Sequence, residues 1–460
     1  MISTTELGPT LAFAGEVDGM DYERAKGTLL RLYHRWRGVV PATLLYHSDH
    51  FAVRRLLAAP PEVQRAAAEH RLRHVLGSAV AHVPWYRRRV ALRPVELAHA
   101  PVGELLERFP YIGKQDVMEC QRDFVDDRVN PRFLVYAQSH GSSGTGIGVW
   151  RDKRQGDIEK AFYFHAWGRL GFSFDKSRYA RLGADSARPL DDAPCYRFGN
   201  RLMVSPNHLQ AAHKASIVEA LNRFRPEFIH AYPSAALSLA ELLAPGDLQF
   251  RLKGVLLASE PATPVQLALI GRVFDCPVSI SYGLTERTNL AFAHHQRGHT
   301  SAYQFESLYG WTETRHSSDG QPEIVGTSAW NEVMPLIRYC TGDFADIDEH
   351  GQCPEILGRV HEFVLDRDGN RLPGLTIALE AGTWDFVRSC QIRQREPGKL
   401  TIAVVPRNGP LTPEQKAELL AAPLEHWGTR FEMDVAEVPE LARAPGGKRQ
   451  FVINDFRAAG

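Results

Sequence analysis

The chain has 460 residues, 44% of them hydrophobic, with 54 basic and 54 acidic side chains. That size supports two or three domains with large cores, and the charge balance excludes a general electrostatic attraction for nucleic acid or an anionic membrane. No apolar run approaches the roughly 20 residues of a membrane helix, the first residues carry no leader pattern, and the six cysteines are scattered without a C-x-x-C pair, so a cytoplasmic protein with free thiols and a local binding site is expected.

From Pro60 to Arg89, the residues Val63, Ala66, Ala67, His70, Leu72, Val75, Leu76 and Ala79 recur at helical spacing. They predict an amphipathic helix that ends near His82-Val83-Pro84-Trp85-Tyr86, since proline disfavours a helical residue before it. Phe133-Leu134-Val135-Tyr136 reads as a strand, followed directly by Ser139-His140-Gly141-Ser142-Ser143-Gly144-Thr145-Gly146. Glycines admit positive φ and aim successive N–H groups at one point, while Ser142, Ser143 and Thr145 add hydroxyl donors, a combination suited to phosphate. By itself the segment fits a plain polar turn equally well. It is not a Walker loop, because no lysine follows Gly146, and the nucleophile elbow fails because threonine stands at its last position.

Between Phe133 and Leu357, apolar strand-like runs alternate with helical stretches: Phe228 to Tyr232, Ala235 to Leu243, Gly254 to Ala258, Pro264 to Phe274 and Val278 to Tyr282. This alternation predicts parallel strands joined by crossover helices. Ser281-Tyr282-Gly283-Leu284-Thr285-Glu286 then falls at a strand's C-terminal edge, where open α/β sheets hold ligands. Tyr282 suits stacking on a base, and Glu286 suits magnesium, which prefers one or two carboxylates plus phosphate oxygens; a capped helix start with a solvated glutamate is the alternative. In Arg338-Tyr339-Cys340-Thr341-Gly342-Asp343 the acid is placed to accept ribose hydroxyls, though an aspartate there also serves as a plain turn former.

Near Leu357-Gly358-Arg359 the texture changes to that of a compact α+β unit. Glu362 to Leu365 and Asn370 to Leu372 predict a hairpin, Cys390 to Gln394 and Leu400 to Val405 predict strands, and Thr412-Pro413-Glu414 opens a helix as N-cap, first-position proline and first-turn acid. Lys448 follows in a glycine-rich loop, where most lysines simply face water.

Taken in order, these segments resemble the acyl-adenylate-forming superfamily, most closely its phenylacetate-CoA ligase and CapK-like branch. Further markers are His70 to His74, Val83 to Arg87, Phe109 to Asp116, Arg225-Pro226-Glu227 with His230 to Ser234, and Ala258-Ser259-Glu260-Pro261. The resemblance implies an α/β fold: a large N-terminal adenylation region with parallel or mixed sheets over 1–358, and a small mobile α+β C-terminal lid over 359–460. It implies ATP-dependent activation of a small-molecule carboxylic acid, aromatic or otherwise cyclic, through an acyl-AMP that passes to coenzyme A. Alternatives are a carrier protein or an amine as acceptor, or adenylyl transfer alone.

Carried over by position, Ser142, Ser143, Gly144, Thr145 and Gly146 hold the ATP phosphates, and Glu286 holds Mg²⁺. Ser259, Glu260, Tyr282, Gly283, Thr285, Asp343 and Arg359 surround adenine and ribose, and Lys448 bridges the acyl carboxylate and α-phosphate. Tyr136, His140, Tyr232 and Ala258 are candidate pocket residues for the acid; packing roles for the aromatics, and a backbone-satisfied turn for His140, fit equally. Three departures stand out. The phosphate loop lacks the family's threonine-serine start, its proline at Gly146 and its lysine at Gly148, leaving weaker ATP binding or compensation by Arg151. His361 stands where a hinge acid is usual. Of a relative's zinc cluster only Cys353 remains, with Gln304 near the place of a histidine, and His294, His295 and His299 lack thiolate company, so zinc is not expected. The loop and hinge departures also leave room for a non-catalytic reading, a degenerate nucleotide-binding regulatory module.

Overall fold

The computed structural model describes residues 46–138, 147–316, 320–356, 363–369, 371–373, 386–428, 430–442 and 452–454. The predicted early helix is α1 (Pro61–His82). Its buried face is Ala68, Leu72, Val75, Leu76 and Ala79, whereas Val63, Ala66 and His70 are exposed, which corrects the N-terminal half of the predicted stripe. Pro84 ends it as expected, and the aromatics after it, Trp85 and Tyr86, are buried against Phe109 and Phe124.

The first two strands, β1 (Val135–Gln138) and β2 (Gly148–Arg151), form an antiparallel hairpin pairing Gln138 with Gly148 and Val135 with Arg151. The glycine-rich residues 139–146 fall between these two strands in the sequence and outside the described residues. The strand starts two residues later than the sequence suggests, because Asn130 accepts the Arg132 N–H and caps a 3-10 turn over Pro131–Phe133, leaving Phe133 71% exposed.

Then come β3 (Tyr179–Leu182), β4 (Cys195–Phe198), β5 (Arg201–Val204), β6 (Phe228–Ala231), β7 (Gly254–Ala258), β8 (Val278–Gly283), β9 (Leu290–Gln296), β10 (His299–Thr300), β11 (Tyr303–Phe305), β12 (Gly310–His316), β13 (Pro322–Ser328), β14 (Tyr339–Phe344) and β15 (Gln352–Cys353). One sheet runs β15-β11-β9-β8-β7-β6-β3-β5-β4, with β10 on β9; β12, β13 and β14 make a second, antiparallel sheet. From β5 to β8 neighbours are parallel, while β9 and β4 run against β8 and β5, so the large sheet is mixed.

Four helices matter for this sheet: α2 (Gln155–Gly168), α3 (Lys214–Phe224), α4 (Pro233–Leu242) and α5 (Pro264–Phe274). The last two start with proline at the first helical position, where its missing N–H costs nothing. Successive side chains of a strand point to opposite faces. On β7, Val255 and Leu257 meet α4 and α5, whereas Leu256 meets α2. Burial on both faces is why these strands read as unbroken apolar runs.

The C-terminal elements are the hairpin β16 (Phe363–Leu365) and β17 (Arg371–Pro373), a sheet of β18 (Val387–Glu396), β19 (Lys399–Pro406), β20 (Glu432–Glu437) and β21 (Val452–Asn454), and α6 (Pro413–Trp427). The predicted hairpin, strands and cap are all present, with Thr412 and Gln415 forming a reciprocal capping box. Among the described residues, the apolar clusters here draw only on positions from Val364 onward, such as Val364, Ile392, Leu400, Phe431 and Val452. Among the described residues, no helix is long and apolar enough to cross a membrane.

Candidate active site

After β8 the chain does not enter a helix. Residues 284–289 turn back into antiparallel β9, with Arg287 at φ 55°. Side chains outside this turn brace it: Arg287 pairs with Glu159 of α2 at 2.8 Å, Tyr309 donates its hydroxyl to the same carboxylate at 3.0 Å, and Asn289 donates to the Thr312 hydroxyl of β12 at 2.8 Å. Glu286 is thereby held almost fully buried. Its Oε1 accepts the Tyr339 hydroxyl at 2.9 Å, while Oε2, also out of solvent, has no partner among the described residues. A buried carboxylate oxygen left open is expensive unless something else occupies it.

Beside it stands Arg151, whose guanidinium Nη2 donates to the Thr285 carbonyl. Its Nε is buried and unpartnered, and it forms no ion pair with a described carboxylate. Burial, assisted by Arg287 and opposed by Glu159, Tyr309 and Glu286, pushes its pKa down to about 9.

The predicted ribose acid is close to the predicted base-stacking ring: Tyr282 donates its hydroxyl to Asp343 Oδ2 at 2.8 Å. Asp343 is buried on β14, the strand that also supplies Tyr339. Gly342, at φ 73°, gives its N–H to Glu323 at 3.1 Å, and the Thr341 hydroxyl accepts the Asp343 N–H at 3.0 Å. The Phe109 to Asp116 segment anchors the start of this strand, since Ile112 pairs with Tyr339 and exchanges backbone bonds with Arg338 and Cys340. Tyr86 secures the approach, accepting the Ile337 N–H at 2.9 Å and donating to Pro335 O at 3.1 Å.

At the neighbouring strand end, Ala258 of β7 is in register with Ser281 of β8. Ser259 takes φ 73°, and Glu260 accepts the Ser234 N–H at 3.0 Å, capping the start of α4 just after buried Tyr232. Gly283 is exposed at the rim. Tyr136 lies over Gly148, and Gln121 donates both to its hydroxyl at 3.2 Å and to the Gly148 carbonyl at 2.6 Å.

Glu286, Thr285, Tyr282 and Asp343 are thus linked through β8, its following turn and β14, with Ser259 and Glu260 on the adjoining strand end. His140, Ser142, Ser143, Gly144, Thr145, Gly146, Arg359, His361 and Lys448 lie outside the described residues. Sequence reasoning missed Tyr339, Gln121 and Glu159; of these only Tyr339 carried a signal, standing four residues before Asp343 in one motif. Gln304 donates to the carbonyls of His350 and Gly351, and Cys353 is buried with its thiol pKa pushed up to about 12. His294 and His295 are consecutive on β9 and so face opposite ways. Among the described residues, no group of three or more histidine, cysteine or acidic side chains is arranged to hold a metal.

No family model matches the chain. CapK of Staphylococcus aureus is 21% identical over 275 residues, 56% of this chain and 59% of CapK, so the chain matches well under two thirds of that relative. A phenylacetate-coenzyme A ligase of Thermus thermophilus is 26% identical over 387 residues, 74% of this chain and 80% of the ligase. Among solved structures, a 2-hydroxyisobutyryl-CoA ligase in the postadenylation state, in complex with R3-HIB-AMP, superposes with a TM-score of 0.65 at 18% identity, covering 86% of this chain and 90% of the other. With the mixed sheet, the ordered motifs and the linked strand ends already described, these likenesses show a chain with the fold of, and similar in sequence to, members of the acyl-adenylate-forming superfamily.

Proposed function

We propose that this protein is an ATP-dependent acid-thiol ligase that activates a small carboxylic acid, aromatic or cyclic, as its acyl-AMP and transfers the acyl group to coenzyme A. The observation that carries this reading is the buried Glu286 carboxylate, oriented by Tyr339 through one oxygen and open at the other, one turn from the Tyr282–Asp343 pair. An oxygen-only, anionic donor of this kind fits Mg²⁺. The metal, when bound, neutralises charge on the phosphates.

In the first half-reaction an acid oxygen bonds to the α-phosphorus, the bond from that phosphorus to the bridging oxygen breaks, and pyrophosphate leaves. Carboxylate and triphosphate repel each other, so fixed cations and donors must hold them in line. Asp343, already fixed by Tyr282, accepts from the ribose hydroxyls, and the strand ends at Ala258 to Glu260 and at Tyr282 to Thr285 flank the base. Ser142 to Gly146 hold phosphate oxygens, and Lys448 bridges the acid and α-phosphate. In the second half-reaction the thiol sulfur bonds to the acyl carbon, AMP leaves, and the thiol proton goes to solvent.

We place the domain division at 358/359, with the C-terminal unit as the lid that brings Lys448 in and withdraws it. Coenzyme A and ATP are cytoplasmic metabolites, and the proposal carries that location with it. ATP–pyrophosphate exchange across a panel of aromatic, alicyclic and hydroxy acids tests the first step. Mass analysis of reactions supplied with coenzyme A, an amine, a carrier protein or no acceptor tests the second. Exchange with at least one acid and a thioester product are expected; a folded, magnesium-replete protein that neither exchanges nor binds ATP refutes the reading, whereas one that binds ATP without exchange leaves the degenerate nucleotide-binding module.

A further inference from the structure

Position 148 of β2 is closely covered by two side chains. A Cβ at position 148 overlaps the Tyr136 hydroxyl and ring and comes within 2.7 Å of Gln121 Nε2. Gln121 ties both sides of that contact together, bonding to the Tyr136 hydroxyl and to the Gly148 carbonyl. Any side chain at 148 requires Tyr136 and Gln121 to move.

Three residues along the same strand is Arg151. Side chains alternate along a strand, so Arg151 projects from the face opposite Gly148 and Trp150. On that face it reaches the turn that carries Glu286, bonding to the carbonyl of Thr285. Two orphaned atoms then flank one turn: Arg151 Nε and Glu286 Oε2 are both buried and both without partners among the described residues. They do not pair with each other. A buried cation and a buried anion left apart, each with a vacant valence for hydrogen bonding or coordination, make sense together if the missing partner carries both signs. A metal–polyphosphate does: the metal completes the carboxylate and a phosphate oxygen completes the guanidinium.

Resting on the adenylation reading above, we infer that Arg151 is a phosphate-binding cation of this enzyme, contacting the leaving pyrophosphate beside Glu286. Arginine suits this because its fork donates to two phosphate oxygens at once. The contact belongs to the β- and γ-phosphates only, so AMP neither gains nor loses by it.

The test compares Arg151→Met and Arg151→Lys with wild type by calorimetric titration of Mg·ATP, Mg·pyrophosphate and AMP, together with thermal unfolding. Arg151→Met is expected to weaken ATP and pyrophosphate binding at least about tenfold and to leave AMP within about twofold. Its melting temperature should stay level or rise, since an unpaired buried cation is removed. Arg151→Lys is expected to restore at least part of the pyrophosphate affinity. A structural role predicts the opposite pattern: a lowered melting temperature or failure to fold in Arg151→Met, or equal losses for AMP and ATP. Either result overturns the inference, as does ATP affinity unchanged in a folded Arg151→Met. If wild type itself binds neither ATP nor pyrophosphate, the adenylation reading fails first and takes this inference with it; wild-type binding with indifferent variants sinks this inference alone.

Discussion

Glu286 shows how one residue's surroundings announce its chemistry. A solvated turn glutamate needs no buried tyrosine to orient it, yet here Tyr339 donates to one oxygen and leaves the other sequestered. Replacement by glutamine keeps the shape and the Tyr339 bond while removing the anion. Glu286→Gln is expected to lower magnesium-dependent ATP–pyrophosphate exchange by about 10²-fold or more, the usual scale for deleting one preorganised electrostatic group. AMP binding should be nearly unchanged, and titration of both nucleotides checks the contrast. Glu306 gives a second test at this scale, separate from catalysis. Burial, only partly opposed by Arg169, raises its pKa to about 7. An acid whose folded pKa lies above its unfolded value contributes stability below the unfolded pKa and loses it as pH rises through the folded one. The fold should therefore lose stability from Glu306 between about pH 4.5 and 7. Glu306→Gln should raise the melting temperature at pH 8 and change it little at pH 5.

At the scale of elements, the hairpin of β1 and β2 makes the sharpest demand on sequence. Its ring-over-glycine contact leaves no room for even a methyl group. Gly148→Ala is expected to cost about 1–3 kcal/mol in urea unfolding, the typical penalty of overpacking. In a Tyr136→Leu background that penalty should shrink, and a double-mutant cycle reads the coupling.

The elements also show why some structure is legible in a sequence and some is not. The β6–α4–β7–α5–β8 run could be read because two-sided burial yields continuous apolar strands and proline marks the start of α5, while α4 begins at Pro233, two residues before the predicted Ala235. The capped helix α6 was legible for the same local reasons. Phe133 misled because a lone apolar residue looks the same whether a strand buries it or a capped turn exposes it. The outer half of α1 misled because its apolar spacing continues past the point where neighbouring elements cover it. In the site, Tyr282, Glu286 and Asp343 could be named from their motifs, but the bond from Tyr282 to Asp343 and the roles of Tyr339 and Gln121 depend on which strands lie side by side. No local pattern encodes that.

For the whole molecule, ligands that bind only the folded state should stabilise it by mass action, about 2.7 kcal/mol at a hundredfold excess over the dissociation constant. A non-hydrolysable acyl-AMP mimic, such as an acyl sulfamoyl adenosine of the correct acid, is expected to raise the melting temperature with or without a chelator. ATP should do so only with magnesium if, as proposed, Glu286 holds the metal that the triphosphate needs. Thermal shift across the acid panel then identifies the preferred acyl group independently of turnover. No rise with any mimic argues for a scaffold without a nucleotide site.

The contact between Tyr136 and Gly148 also constrains how this protein can change. A lysine placed at 148 meets the Tyr136 ring before it meets a nucleotide, so it is accommodated only if that side chain moves. Larger side chains at 148 are therefore expected to be accepted together with a smaller residue at 136, so that the two positions change as a pair.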